Sequence, residues 1–457
     1  MRGARFIVGC AAVATLVVLA VPGAVVAAAR APTVVAAAAG SISVAPAADT
    51  YVSAARRTQN FGNAKTLLAG PGKRARAFMR FDLRGLDARV VKAKLRFYAL
   101  QGSRGGILVT TATDPFWIEG SPTYVKHPKA VRRAALLPRL RRGWNTIDLT
   151  KVARSKYLIS LVLSSTRGRA VIASREAGAH GPRLVANTVP VAAGSMVAAG
   201  DIASCTSTGD EATAALVDTI PGTVAALGDL AYENGSTSDF SLCYSPTWGR
   251  FKPRTRPAPG NHEYQTPHAA PYYAYFGAAA GDPTKGYYSY NLGAWHVIVL
   301  NSNCGQISGG CGRGSPQVAW LKRDLAAHRN FCTLAYWHHP RFSSGRVGSD
   351  AGMETFWDTL YAARADLVLV GHDHDYERFA PQGPNGVAAP NLGLREIVVG
   401  TGGASHFVLG TPIANSEVGN DTTFGVLHLT LRAARYDWQF LPVAGASFTD
   451  AGSTACH

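Results

Sequence analysis

Short apolar runs punctuate the chain, and their character changes once along its length. Between residues 43 and 188, the runs at 77–82, 92–100, 106–111 and 158–164 mix apolar and polar side chains and are separated by Gly, Asp or Pro. A strand that buries one face needs an apolar residue only at alternate positions, so this region predicts an all-β sandwich or jelly roll. Beyond residue 195 the runs at 223–227, 295–300, 333–337, 367–370 and 396–399 are predominantly apolar, and each leads into Gly, Asp, Asn or His. Helix-like stretches such as 315–328 and 353–363 lie between them. Buried strands alternating with helices predict an α/β domain whose ligand site lies beyond the strand ends. The expected chain is multidomain, with a leader at 1–29, a β module at 43–188, a linker at 189–194 and an α/β domain at 195–457.

The leader is read from Arg2 and Arg5, the apolar run 7–21 and small residues at 27–29, which together follow the secretory pattern. An uncleaved anchor is the competing reading, but the run is short for a bilayer. No integral span is predicted after cleavage, so the expected location is extracellular, with cell-wall association as a further expectation. Cys10 leaves with the leader, and Cys205, Cys243, Cys304, Cys311, Cys332 and Cys456 remain. An even number in an exported chain predicts disulfides, first of all Cys304–Cys311 in a Gly-rich loop, with Cys205–Cys243 and Cys332–Cys456 as one way to pair the rest.

The net charge of +17 is unevenly placed. Residues 43–188 hold 27 Lys and Arg against 7 Asp and Glu, whereas the chain from 189 onward holds 16 against 22. A module carrying +20 is expected to attract polyanions such as acidic wall polymers, anionic polysaccharide or nucleic acid; a solvated basic face is the plainer alternative.

The chemistry lies in five motifs at the ends of the apolar runs: G-D-I-A at 200–203, G-D-L-A-Y at 228–232, G-N-H-E at 260–263, W-H-H-P at 337–340 and G-H-D-H at 371–374. A single Gly-Asp after a strand is usually a turn, and a single buried His is usually a hydrogen-bonded core residue. Five strand ends that all deliver carboxylate, amide, phenol or imidazole to one edge instead suit iron, zinc or manganese. Two such cations can generate hydroxide near neutral pH and clamp a phosphate for in-line attack.

In order and spacing the motifs resemble the calcineurin-like metallophosphoesterase superfamily, and the Tyr of G-D-L-A-Y resembles its purple acid phosphatase branch. The resemblance covers roughly residues 195–450 and implies an αββα sandwich that hydrolyses phosphomonoesters, acid phosphatase-like, with a phosphodiesterase or nucleotidase as the near alternative. It implies that Asp201, Tyr232 and His374 bind ferric iron, that Asn261, His338 and His372 bind a second ion (Zn, Mn or ferrous iron), and that Asp229 bridges the two. His338 is preferred over His339 because the family's ligand stands two positions before Pro, here Pro340. Ala203 and Ala335 depart from the family's Gly and Val, and neither position supplies a ligand. His262 is expected to bind phosphate or protonate the leaving alkoxide, alone or shared with His339. Gly348 stands where plant-type relatives carry a further His.

Several further features have two readings. Tyr264, Tyr272, Tyr273, Tyr275, Tyr287, Tyr288 and Tyr290 are read as a packing region rather than a cleft wall, and T-G-G at 401–403 as a turn or as backbone near the site. In the β module, D-T-Y-V at Asp49, N-F-G at Asn60, M-R-F-D at Met79, Trp117-Ile118-Glu119, W-N-T-I-D-L-T at Trp144 and A-S-R-E at Ala173 resemble DNRLRE-type modules of bacterial secreted proteins, some of which bind carbohydrate. These motifs are expected to mark the fold, with Trp117 and Trp144 in its core. A non-catalytic surface-binding protein is the reading from another class, disfavoured because no expected ligand is missing.

Overall fold

The computed structural model describes residues 40–457 except 104 and 329; the expected leader lies outside the described residues. The N-terminal module is a sandwich. One sheet runs Ser41–Val44, Arg183–Pro190, Ala88–Ala99, Ala170–Ala173, Thr66–Ala69, with Gly143–Asp148 also paired to Ala88–Ala99. The other runs Ala48–Ser53, Ala75–Asp82, Leu158–Ser165, Ile107–Ala112, Ala130–Leu137. Alternate residues meet between the sheets: Leu95 and Phe97 from one, Met79, Phe81, Leu161 and Leu163 from the other.

Trp117 is in a core as expected, buried against Phe78 with its indole N–H donated to Ser160 Oγ at 2.8 Å. Trp144 corrects the expectation. It is 39% exposed, with the Arg96 guanidinium 4.2 Å from its ring centroid and Tyr98 against its edge.

The C-terminal domain stacks two sheets. Strands Thr255–Ala258, Thr223–Leu227 and Gly194–Ala199 are parallel and continue through antiparallel Gly425–Leu431, Arg435–Pro442 and Ala451–Ala455. In the second sheet, Trp295–Val299, Cys332–Tyr336, Leu367–Val370 and Arg395–Val399 are parallel, flanked by Tyr288–Leu292 on one side and Tyr376–Phe379 and Ser416–Asn420 on the other. Side chains of a strand alternate between faces, and both faces here are covered, which explains why these strands are apolar throughout. Val297, Val299, Leu334, Leu367 and Leu369 face the first sheet. Ile298, Ala335, Val368 and Val370 meet Val318 and Leu321 of helix Pro316–Ala327 and Phe356, Trp357 and Leu360 of helix Glu354–Ala362. Ala335 therefore lies in a helix-facing core, away from the site. On the other side, Ala214 and Val217 of helix Gly209–Thr219 join the core, completing the αββα order.

All three expected disulfides are present: Cys205–Cys243, Cys304–Cys311 and Cys332–Cys456. Among the described residues no helix is long and apolar enough to cross a membrane. The two modules meet through Arg432 and Asp87, 3.1 Å apart, and through the rings of Tyr157 and Phe331.

Candidate metal centre

Each of the five motifs begins where a parallel strand ends: after Gly194–Ala199, Thr223–Leu227, Thr255–Ala258, Cys332–Tyr336 and Leu367–Val370. Two sheets that end side by side thus place residues from opposite layers within contact of one another. Reaching that point takes unusual backbone. Asp201, Asp229 and His372 hold left-handed conformations, with φ of 59°, 51° and 74°. Such residues cost about 1–3 kcal/mol each and persist where surrounding bonds fix them. Here Asp201 N donates to Gly228 O at 3.0 Å and His372 N to Asp201 Oδ2 at 2.8 Å. The glycines of the motifs permit the approach: a Cβ on Gly260 would stand 2.0 Å from Asp229 Oδ1, and one on Gly371 2.7 Å from Asp201 Oδ2.

Two donor clusters result, and all seven residues expected as ligands fall into them. In the first, the Tyr232 hydroxyl lies 3.0 Å from Asp201 Oδ1, 3.0 Å from His374 Nε2 and 3.3 Å from Asp229 Oδ2. It has one proton and three acceptors within reach. In the second, His338 Nε2 lies 3.1 Å from each of Asn261 Oδ1, His372 Nδ1 and Asp229 Oδ2. Since His338 Nδ1 sits 2.9 Å from the Leu227 carbonyl, which can only accept, a neutral ring presents its Nε2 lone pair to the oxygen lone pairs of Asn261 and Asp229, with His372 Nδ1 beside them. Asp229 Oδ2 belongs to both clusters.

This crowding calls for positive charge. Among the described residues the ion-pair partners of Asp201 and Asp229 are histidines only. Burial alone would lower the His338 imidazole, but the Asp229 carboxylate outweighs it and lifts the pKa to about 9; Asp229 is correspondingly held below the usual carboxylate range despite its burial. Burial and the neighbouring Asp201 and Asp229 push the Tyr232 phenol well above its ordinary value. His372 is lowered to about 4 by burial and by His338. A cation in each cluster would meet the need that protons otherwise meet, and the mix of carboxylate, phenol, amide and imidazole fits iron, zinc or manganese.

Surrounding groups fix these donors, and sequence reasoning assigned none of the four a role. Glu263, fully buried, accepts from the N–H groups of Asp229, Leu230 and Gly260 at 3.0, 2.8 and 2.7 Å, joining the loops that carry Asp229 and Asn261. Asp373 accepts from Ser343 Oγ, Val347 N and Gly348 N, so the segment at which plant-type relatives place a His is folded here onto a carboxylate. Both acids were visible inside motifs; their backbone partners were not. Ser405 Oγ holds His374 Nδ1 at 2.7 Å, and Phe407 stacks on the same ring.

The two further histidines part ways. His262 Nδ1 bonds to the Glu233 carbonyl, which leaves Nε2 3.8 Å from Asp229 Oδ2 at the wall of a cavity of about 430 Å³. His339 instead bonds Ser302 Oγ through Nδ1 at 2.7 Å and lies against His372, with ring centroids 4.4 Å apart. Burial, then His338 and His372, hold its pKa down to about 2, so it stays neutral. Tyr272 and Tyr273 are buried in the core and no member of the Tyr-rich region lines this cavity, which favours packing for that region. T-G-G does reach the site: Gly402 N donates to Gly200 O at 2.9 Å and Ala404 N to Asp201 O at 3.0 Å. Ala203, the other departure from the family pattern, is fully buried and its carbonyl accepts from Tyr232 N at 2.8 Å.

Comparison with known proteins agrees with this geometry. The model of the calcineurin-like phosphoesterase family matches residues 197–376, and that of carbohydrate-binding module family 96 matches residues 41–188. Purple acid phosphatase 15 of Arabidopsis thaliana is 28% identical over 205 residues, covering 36% of this chain and 37% of that protein. Probable purple acid phosphatase 20 of the same plant is 31% identical over 179 residues, covering 34% and 39%. The chain thus spans less than two fifths of these curated relatives. The solved purple acid phosphatase PPD1 from yellow lupin (Lupinus luteus) seeds superimposes with a TM-score of 0.50 over 86% of this chain and 74% of that one, at 16% identity, a likeness of fold. With the motifs in place and both family models matched, residues 197–376 form a calcineurin-like phosphoesterase domain similar to purple acid phosphatases, and residues 41–188 match carbohydrate-binding module family 96.

Proposed function

We propose that the protein is a secreted dinuclear-metal phosphoesterase that hydrolyses phosphomonoesters and is retained near anionic polysaccharide by its basic module. The observation that carries the reading is Asp229 Oδ2, shared by two donor clusters beside an open cavity. Asp201, Tyr232 and His374 would hold iron(III), whose preference for hard anions suits a phenolate, and Asn261, His338 and His372 would hold zinc, manganese or iron(II). When bound, the two cations supply Lewis acidity, generating hydroxide from water near neutral pH and neutralising phosphate charge.

The chain's own groups do the rest. Fixed by the Glu233 carbonyl, His262 turns Nε2 toward the cavity, where it can hydrogen-bond the phosphate and deliver a proton to the leaving alkoxide. His339, neutral and tied to Ser302, supports the His372 ring and is no proton source, so protonation falls to His262. Val347 and Phe407 give the cavity an apolar side for the organic half of an ester. Three disulfides support export, since such bonds persist in oxidising compartments.

The test is one preparation of purified protein, with metal content, visible spectrum, and monoester and diester hydrolysis measured together. Two metals per chain, a visible charge-transfer band and faster monoester turnover are expected; a colourless, metal-free and inactive sample would refute the reading, and faster diester turnover would move it to a phosphodiesterase. His262→Ala should lower kcat strongly, about 10²-fold or more, for alkyl phosphates and little for nitrophenyl phosphate. Equal losses on both would remove the acid role.

A further inference from the structure

The N-terminal module is short of acids, and three of its seven converge. Asp49 of D-T-Y-V, Glu119 following Trp117, and Glu176 of A-S-R-E each offer a carboxylate oxygen, all within 4.8 Å of one another. Arg175 is the one cationic side chain paired with them among the described residues, bonded to Glu119 Oε2 and Glu176 Oε1 at 2.7 Å each. With all three ionised, the carboxylates against one guanidinium would leave a charge of −2; burial, with Glu176 and Glu119 nearby, lifts Asp49 to about 8 where no further cation faces it. Asp49 is fully buried: Oδ2 accepts from Arg175 N at 2.8 Å, while Oδ1 has no hydrogen-bond partner, nor does buried Glu176 Oε2. A buried ionised oxygen without a partner is costly, and two in one cluster point to a missing ligand of positive charge.

We propose that this cluster is a calcium site that fastens the β module. The donor set contains oxygen only, with neither His nor Cys, which selects a hard cation. One divalent ion cancels the residual charge. Its ligands come from a strand, a turn and a 3-10 helix, at residues 49, 119 and 176, an arrangement that suits the larger, adaptable coordination sphere of calcium over the strict octahedron of magnesium. The neighbouring motif is already gathered here, since Asn60 Nδ2 donates to Glu119 O and Pro122 O at 2.9 Å each. The ion would close the same junction from the other side, joining Ala48–Ser53 to the end of Ala170–Ala173 through the Glu119 loop.

Full-length protein stripped with EGTA and desalted is titrated with calcium chloride, following thermal unfolding, and separately with terbium, following luminescence sensitised by tryptophan. Wild type should melt several degrees higher with calcium and show terbium luminescence that calcium displaces. Asp49→Asn should abolish both responses, and Glu176→Gln should weaken calcium affinity about tenfold or more. If Asp49→Asn does not fold, Glu176→Gln at the cluster's edge decides alone. A wild-type melting temperature indifferent to calcium, or responses unchanged in the variants, would overturn the assignment. Phosphatase activity is not the readout, so the outcome is independent of the metal centre.

Discussion

Glu263 gives the sharpest test of how the centre is held. It touches no substrate, yet its carboxylate joins the loop ends carrying Asp229 and Asn261: Oε2 accepts from Asp229 N and Gly260 N, Oε1 from Leu230 N. Glu263→Gln keeps the shape and removes one acceptor. The amide oxygen should take the Oε2 position, where it serves two donors, leaving the Leu230 N–H facing an NH₂ group. A buried unsatisfied donor costs about 1–3 kcal/mol, and reducing the two surviving bonds from charge-assisted to neutral costs about 1 kcal/mol each. Part of this is offset, because burial and repulsion from Asp229, which push Glu263 up to about 7, act only on the charged form. Three N–H donors and no acceptor still argue for the ionised carboxylate, the more so with cations beside Asp229.

The net loss is therefore about 2–3 kcal/mol, or a fall of roughly 4–12 °C in Tm for a unit of this size. Calorimetry of wild type and variant, with metal content measured on the same samples, reads both consequences: the variant should melt earlier and retain less metal. A variant melting within about 1 °C of wild type with full metal content would show that Glu263 does not hold the two loops.

Metal affinity should depend on pH in a way the two second-cluster histidines set. His338, lifted to about 9, carries a proton that a cation must displace at lower pH, while His372, near 4, is already neutral. Apparent affinity of the second ion should thus rise about tenfold per pH unit between roughly 5 and 9 and then level off; competitive chelator titrations giving a slope of zero or two protons would contradict the assignment. Replacing Cys332 and Cys456 by Ala, which opens a 124-residue separation, should cost about 5 kcal/mol by chain entropy, against about 2.4 kcal/mol for Cys304 and Cys311, separated by 7; denaturant titrations giving the reverse order would refute it. Trp144→Ala should weaken retention on anionic polysaccharide columns without lowering Tm, since the ring is on the surface under Arg96; unchanged retention would remove it from the binding face.

Positions were legible where one local rule decides them. The five motifs could be read because apolar strands must end, and residues just past the ends of parallel strands on one edge are bound to meet. Trp144 obeys such a rule as well. In Gly143–Asp148 the buried residues are Asn145 and Ile147, while Trp144, Thr146 and Asp148 are exposed. Counting by two from Ile147 puts Trp144 on the polar face. Ring size argues for the core and register for the surface, and register is right.

Glu263 and Asp373 were hidden differently. Their neighbours in sequence are expected ligand positions, but their partners are mostly backbone N–H groups of other loops, which carry no side-chain signal, with the Ser343 hydroxyl on Asp373 as the one side-chain donor. Asp49, Glu119 and Glu176 lie furthest beyond local reading, because nothing within ten residues of any of them predicts the other two. Composition still held a trace. In a module with 27 basic residues, an acid that is fully buried rather than paired on the surface needs a cause, and Asp49, Glu119 and Glu176 each sit inside one of the motifs of the β module. Survival of an acid in a basic domain is not enough, since Asp82 is paired with Arg84 and Asp87 with Arg432; what singles out Asp49 is burial that leaves one carboxylate oxygen without a partner, which only the fold reveals.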